Sequence, residues 1–137
     1  FEKGMLGKKE STAIEEEKLK VFFRSELFER MKKSSCIERE RKFLVRISDL
    51  KLTGEFSEKY HDTDGMLQGV ADCIFEEDGQ LVLVDYKTDY VSTEKELTEP
   101  YASQLRLYKS ALEMIYNKTV KELILYSFTL GRAIEIV

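Results

Sequence analysis

The first third of the chain carries an apolar pattern that is typical of an amphipathic helix. Between Ser11 and Met31, apolar residues recur at spacings of three and four, with charged residues between them. Thr12 and Glu15 have the spacing of a capping box, so we expect the helix to begin at Ser11 or Thr12. Residues 1–10 lack this periodicity, and we expect them to be poorly ordered.

Three strands are predicted next. The segment Ile37–Ile47 alternates charged and apolar residues, as a half-buried strand does, and the polar segment Asp49–Asp64 follows it as a connection. The segments Leu67–Phe75 and Leu81–Thr88 flank Asp78-Gly79, and Asp-Gly between apolar runs is a strong hairpin signal. The second of these strands begins with four consecutive apolar residues, so we expect it to be central in its sheet and covered on both faces.

The rest of the chain predicts a helix followed by strands. Pro100 is expected near the start of a helix that runs to about Asn117. Glu122–Phe128 is an apolar strand candidate, and Arg132–Val137 is a short last one. This order predicts one α/β domain over residues 1–137, in which helices flank a mixed β-sheet.

Composition and charge narrow the class of protein. With 137 residues, of which 42% are hydrophobic and 35% are charged, the chain suits one globular domain. It has no apolar run of membrane-spanning length and no signal-peptide pattern, so we expect a cytoplasmic protein without a membrane partner. The net charge of -4 argues against a domain that binds nucleic acid by electrostatics alone.

The first residue and the two cysteines add further expectations. The chain begins with Phe1 rather than Met, so we expect it to be part of a longer polypeptide. Cys36 and Cys73 lack a C-x-x-C spacing and are too few for a metal-thiolate cluster. We expect both to be reduced, buried thiols.

The predicted hairpin brings two carboxylates together. With a two-residue turn at Asp78 and Gly79, Asp72 falls directly opposite Asp85. Directly opposed side chains lie about 5 Å apart, so two like charges there need a positive partner. A divalent cation would meet this need, and Lys87 projects from the same face as Asp85. Two acids and a lysine on one face suit the metal-assisted hydrolysis of a phosphodiester bond.

The Asp-x-Lys spacing alone is weak evidence for such a site. It also arises by chance, and Asp49 with Lys51 is a second example. Asp85 and Lys87 differ because they follow a continuous apolar strand and face another acid across a tight turn. The alternative is that they form an ordinary ion pair at a strand end, with Asp72 solvated nearby.

Several motifs carry a resemblance to a known family. G-x-x-D at Gly69–Asp72, D-Y-K-T-D at Asp85–Asp89 and Q-x-x-x-Y at Gln104–Tyr108 occur in this order. In order and spacing they resemble the signatures of the RecB-type branch of the PD-(D/E)XK nucleases. The runs Arg39–Phe43 and Tyr101–Leu112 are similar to corresponding runs in the AddA-type nuclease domains of bacterial AddAB helicase-nucleases.

The resemblance implies a restriction-endonuclease-like fold and a set of site residues. Asp72 and Asp85, with the backbone carbonyl of Tyr86, would bind Mg²⁺ or Mn²⁺. Lys87 would be catalytic together with the two acids. Three further residues would contact DNA or brace the site: Gln104, Tyr108 and Glu40.

Two departures from the family pattern concern its metal groups. Members of this branch usually carry a metal-binding His on an upstream helix, whereas the only His here is His61, in the polar connection. We expect the missing ligand to precede Phe1 in the longer polypeptide. AddB-type relatives use four cysteines to bind an iron–sulfur cluster, and the two cysteines here are too few for one.

The implied function is that of a Mg²⁺-dependent DNA exonuclease domain in a bacterial, cytoplasmic, ATP-dependent helicase-nuclease for double-strand-break repair and recombination. ATP would bind only in the helicase part outside this chain. The implied partners are DNA threaded from the helicase and an AddB-like subunit, and the isolated chain should have weak or no activity. Two alternatives remain: a catalytically inactive nuclease-fold module that binds DNA or docks a subunit, and a hydrolase of another phosphoester.

Overall fold

The computed structural model describes residues 15–52, 58 and 65–137. The described helices and strands are, in chain order: α1 (Glu16–Phe23), α2 (Glu26–Lys33), β1 (Ile37–Arg46), a 3-10 turn (Ile47–Asp49), β2 (Met66–Glu77), β3 (Gln80–Lys87), α3 (Glu94–Tyr116), β4 (Val120–Ser127) and β5 (Arg132–Ile136). None of these helices is both long enough and apolar enough to cross a membrane.

The strands form one mixed sheet in the order β1-β2-β3-β4-β5. Neighbouring strands are antiparallel except β3 and β4, which are parallel because α3 connects them as a crossover. The central position of β3 confirms the prediction from its apolar run Leu81–Val84, in which every residue is buried. The predicted α/β arrangement of a mixed sheet flanked by helices is also confirmed.

Helices cover both faces of the sheet and create two apolar layers. The α3 layer contains Leu105 and Leu112 of that helix, packed against side chains from the strands. The α1–α2 layer contains Phe22 and Phe28 on the opposite face. Alternate residues of β3 enter the two layers, so the central strand links both halves of the core.

The N-terminal helix predicted for Ser11–Met31 is wrong in one respect, because the described part of it forms two helices. α1 ends at Phe23, and Ser25 is the N-cap of α2. The Ser25 hydroxyl accepts a hydrogen bond from the Phe28 N–H at 3.1 Å and donates one to the Phe22 carbonyl at 2.5 Å. A serine that satisfies a free N–H favours a new helix start, which apolar periodicity alone does not reveal.

The predicted capping box at the start of this segment is also not formed. Glu15 is extended, with φ −65° and ψ 148°, and α1 begins after it at Glu16. Glu15 is therefore the N-cap residue rather than the third residue of a helix. The predicted caps themselves, Ser11 and Thr12, lie with residues 1–10 outside the described residues.

α3 begins earlier than predicted, at Glu94, and Pro100 lies inside it. Thr93 caps the helix, because its hydroxyl accepts a hydrogen bond from the Glu96 N–H at 3.2 Å. This Thr-x-x-Glu spacing was the sequence signal that the prediction from Pro100 overlooked. The helix ends at Tyr116, and Asn117 is left-handed with φ 53°, close to the predicted end.

The hairpin prediction is confirmed. Asp78 and Gly79 have φ values of 54° and 75°, as a two-residue turn with two positive φ angles requires. Glu77 pairs with Gln80 across this turn. The β1 prediction is confirmed except that Ile47 begins the 3-10 turn, and most of the predicted connection after it lies outside the described residues.

A charge network attaches α2 to the sheet. Arg30 donates two hydrogen bonds to Glu77 of β2, at 2.8 and 3.0 Å, and lies 2.5 Å from Glu122 of β4. Hydrogen bonds from Arg30 and from Lys121 lower the pKa of Glu77 to about 2. Arg30 thus links α2 to β2 and β4 through two ion pairs.

The two cysteines differ in environment. Cys73 on β2 is fully buried, and this burial raises the pKa of its thiol to about 12. Cys36 precedes β1, an edge strand, and is exposed. The prediction of a buried thiol is therefore correct for Cys73 and wrong for Cys36, which lies at the sheet edge and belongs to neither apolar layer.

Tyr126 leads to a stability prediction. Its side chain is fully buried among the aromatic rings of the α1–α2 layer, and its hydroxyl has no hydrogen-bond partner among the described residues. Tyr126→Phe should therefore raise the free energy of unfolding by about 1 kcal/mol in chemical denaturation. Tyr90→Phe is the control, because Tyr90 is 92% exposed and should change little. A loss of stability in Tyr126→Phe would contradict this view of the hydroxyl.

Candidate active site

Three predicted site residues lie where the hairpin strands end. β2 and β3 pair from Glu77–Gln80 to Cys73–Val84, so Asp72 and Asp85 lie one position beyond the last pair. Because side chains alternate along β3, Asp85 and Lys87 point to the face covered by α3. The register predicted from the turn is thus confirmed as far as Cys73 and Val84, whereas the predicted direct pairing of Asp72 with Asp85 lies beyond the paired residues.

The chain itself supplies partners for the two acids. Lys87 Nζ lies 3.0 Å from Asp85 Oδ2, and these side chains are only 19% and 14% exposed. Burial favours the neutral amine, but Asp85 and, more weakly, Asp72 outweigh it and raise the pKa of Lys87 above its usual value. The Tyr86 N–H donates a hydrogen bond to Asp72 Oδ2 at 2.9 Å. The ion pair considered as an alternative is therefore present. Asp72, however, is fixed by the Tyr86 N–H, and its charge also raises the pKa of Lys87.

The donor atoms at this site are hard oxygens. Among the described residues, no group of three or more His, Cys, Asp and Glu side chains is placed to hold a metal, and His61 lies outside those residues. The Tyr86 side chain is buried in the α1–α2 layer, so only its backbone is available here. Mg²⁺ commonly binds one or two carboxylates and keeps several waters. The carboxylates of Asp72 and Asp85 therefore fit a hydrated divalent cation.

Two sequence motifs form one packed unit beside these acids. Gln104 and Tyr108 lie one turn apart on α3, and Gln104 Nε2 lies 3.4 Å from Tyr108 Oη. The Tyr108 ring packs edge-to-face on Phe43, with centroids 4.8 Å apart. A Cβ on Gly69 would lie 2.5 Å from Tyr108 Cζ, so the missing side chain at Gly69 makes room for the ring. Gly69 of the G-x-x-D motif thus leaves the space that the ring of Tyr108, in the Q-x-x-x-Y motif, occupies.

This contact predicts the effect of Gly69→Ala. The added methyl group would overlap the Tyr108 ring and also approach Phe43 to 2.8 Å, so the ring must move. We expect a loss of about 1–3 kcal/mol in the free energy of unfolding, measured by chemical denaturation. Gln68→Ala, at the exposed neighbouring position, should cost much less. Equal stability of both variants would contradict the close packing of Tyr108 on Gly69.

Glu40 lies opposite Asp72 in the β1–β2 register, but the two do not form a ladder pair. Pairs exist on both sides of them, Arg39 with Cys73 and Arg41 with Ala71. Glu40 has φ 52°, a left-handed conformation that costs a residue with a side chain about 1 kcal/mol. The structure thus places an unusual backbone conformation across the sheet from Asp72.

Two residues to which the sequence analysis assigned no role connect to Lys87: Tyr101 contacts it, and Asp89 contacts Tyr101. The Tyr101 ring centroid is 3.9 Å from Lys87 Nζ, and the Tyr101 hydroxyl donates a hydrogen bond to Asp89 Oδ2 at 2.8 Å. A sequence signal was available, because Tyr101 precedes Gln104 by three residues and so shares its helix face. The run Tyr101–Leu112 was noted for its resemblance to relatives, but no role was assigned to Tyr101.

Comparison with known proteins gives consistent matches. Residues 4–132 match the PD-(D/E)XK nuclease superfamily. The chain is 38% identical over 133 residues to an ATP-dependent helicase/nuclease subunit of Thermoanaerobacter sp. strain X514, and 39% identical over 137 residues to the protein of the same name in Clostridium botulinum strain 657. A relative of that name in Clostridium beijerinckii is 38% identical over 143 residues.

These matches cover 96% to 100% of this chain but only 11% to 12% of the relatives. The chain therefore spans about a ninth of the length of the curated relatives it matches. The superfamily match includes every motif from Arg39 to Tyr108 that suggested the resemblance. It also agrees with the mixed sheet and flanking helices of a restriction-endonuclease-like fold. The chain belongs to the PD-(D/E)XK nuclease superfamily.

Proposed function

We propose that this chain is the metal-dependent DNA nuclease domain of a longer, ATP-dependent helicase-nuclease. One observation carries the proposal: the Lys87 ammonium lies 3.0 Å from the Asp85 carboxylate, and the charge of Asp72 also helps to raise the pKa of this lysine. Membership of a nuclease superfamily and the name that the relatives share support the rest. Hydrolysis of a phosphodiester bond is the reaction that these groups suit best.

The three central residues would have separate roles. Asp72 and Asp85 would hold Mg²⁺ or Mn²⁺, with the Tyr86 carbonyl as a further oxygen donor. The ion would supply positive charge to the phosphate and activate water for attack. Lys87 carries three N–H donors on its ammonium group and would donate to a phosphate oxygen or orient the attacking water.

The surrounding residues would place the DNA. Gln104 is exposed and linked to Tyr108, so its amide would contact a strand entering beside α3. Tyr108 would brace that amide from its packed position on Gly69. Glu40 would brace the Asp72 side of the site across the β1–β2 pair.

The longer polypeptide would supply what this chain lacks. With a net charge of -4, the chain attracts DNA weakly by itself, so we propose that a helicase motor threads a strand to the site. The proposed activity is exonucleolytic, in double-strand-break repair and recombination in the bacterial cytoplasm, with an AddB-like partner subunit. ATP would bind only to the motor, and an upstream histidine would complete the metal ligands.

Comparison of the isolated chain with the full-length polypeptide tests this proposal. The full-length polypeptide should degrade labelled DNA with ATP and Mg²⁺, and a chelator should stop it. The isolated chain should cleave single-stranded DNA weakly or not at all in Mn²⁺, because the proposed histidine ligand and motor would lie outside this chain and its net charge of -4 gives little attraction for DNA. Gel electrophoresis of the labelled DNA across a salt series measures cleavage by the full-length polypeptide and by the isolated chain.

The possible outcomes separate the candidate functions. DNA binding without metal-dependent cleavage by the full-length polypeptide would favour the inactive docking module. Robust cleavage by the isolated chain would retain the nuclease but show that the upstream histidine and motor are dispensable.

A further inference from the structure

Lys87 has a second partner besides Asp85, the aromatic ring of Tyr101. The distance of 3.9 Å between Nζ and the ring centroid is well within the roughly 6 Å range of a cation–π interaction. Because the Lys87 side chain is only 19% exposed, little water competes for its charge, which strengthens this interaction. A lysine side chain is flexible, so two partners restrict its position more than one.

Tyr101 is itself held in place. Its hydroxyl donates a hydrogen bond to Asp89 Oδ2 at 2.8 Å, and the Asp89 carbonyl accepts one from Thr129 Oγ1 at 2.7 Å. Tyr101 also packs against the α3 layer with part of its side chain. The ring position therefore depends on α3, on the segment after β3 and on the turn after β4. A residue that only filled space beside the core would not need these polar contacts.

We propose that Tyr101 is a positioning residue that holds the Lys87 ammonium next to Asp85 for the reaction. This inference rests on the proposed nuclease function. The ring holds a cation without a negative charge of its own, so it does not compete for a metal ion as a carboxylate would. Lys87 would keep one fixed partner even when Asp85 is engaged with the ion.

Nuclear magnetic resonance on the 137-residue chain tests the contact without any catalytic step. Protons above an aromatic ring are shifted upfield, so the ε-methylene signal of Lys87, assigned with Lys87→Arg, should lie upfield of exposed lysines such as Lys95. Tyr101→Phe should keep most of this shift, and Tyr101→Leu should lose it. Asp89→Ala should lose part of it, because the ring is then less fixed.

Kinetics with the full-length polypeptide test the role. Tyr101→Leu should lower kcat for DNA cleavage about tenfold and leave KM within about twofold, because the lysine is misplaced while DNA contacts remain. Tyr101→Phe should recover most of the rate. Tyr90→Leu is the matched control, because Tyr90 is 92% exposed, and it should behave like the wild type.

Three results would overturn the inference alone, provided that cleavage still depends on Lys87. They are an unchanged Lys87 signal in Tyr101→Leu, an unchanged kcat in that variant, or a Tyr101→Phe variant as impaired as Tyr101→Leu. If Tyr101→Leu does not fold, Tyr101→Met takes its place with the same expected results. If wild-type cleavage does not depend on Lys87, the proposed function fails first and this inference fails with it.

Discussion

Lys87→Ala should reduce DNA cleavage by about 100-fold or more, while the fold and ATP-driven unwinding remain. The expected loss is large because a charged donor in a partly buried site stabilises developing negative charge with little competition from water. Lys87 is 19% exposed and contacts the Asp85 carboxylate and the Tyr101 ring, so water or a neighbouring side chain does not easily replace its charge. Cleavage and unwinding of labelled DNA by the full-length polypeptide measure the two effects separately.

Lys51→Ala is the matched control for Lys87→Ala. Asp49 and Lys51 repeat the Asp-x-Lys spacing of Asp85 and Lys87, but they are exposed and lie near Asn117, at the far end of α3. The Lys51 variant should cleave DNA as the wild type does. Loss of both cleavage and unwinding in Lys87→Ala would instead indicate a folding role, and full activity would remove Lys87 from the chemistry.

Asp85→Ala should abolish the binding of Mn²⁺ and, with it, DNA cleavage. In the proposed site the isolated chain would offer two carboxylates to the ion, so we expect weak binding that the loss of either acid abolishes. Isothermal titration calorimetry with Mn²⁺ measures the binding heat. Asp72→Asn should also lose the heat, but its stability in metal-free buffer should stay within about 1 kcal/mol, because an amide oxygen can still accept the Tyr86 N–H bond.

Asp49→Ala is the control for metal binding, because it removes an exposed carboxylate outside the site. Its Mn²⁺ titration should match that of the wild type. An unchanged heat in Asp85→Ala would remove Asp85 from the metal site. A loss of more than about 2 kcal/mol in Asp72→Asn would mean that Asp72 has a structural role instead.

The sequence by itself determined the hairpin and the acids that it brings together. Asp78 and Gly79 tolerate positive φ, and a two-residue turn leaves one register for the strands that flank it. The positions of Asp72 and Asp85 just beyond the last strand pair follow from this register, and the side to which Asp85 and Lys87 project follows from the period of two along β3. These features were predictable because each depends on neighbours in the chain or on a single tight turn.

The helix boundaries were less predictable. Apolar periodicity continues through Ser25, and only the capping bonds of that residue divide the segment into two helices. Pro100 suggested a helix start, but Thr93 had already begun the helix. Capping contributes only about 1 kcal/mol, so it is a weak signal within a strong apolar pattern.

Only the tertiary structure decided how the motifs combine. The ring of Tyr108 fills the space that Gly69 leaves open, and the ring of Tyr101 meets Lys87 from another element. Glu40 takes a left-handed conformation where β1 passes Asp72, although its residue type gives no reason to expect one. The two ring contacts join α3 to strands of the sheet, and the packing of α3 on the sheet sets their distances, which no local pattern contains.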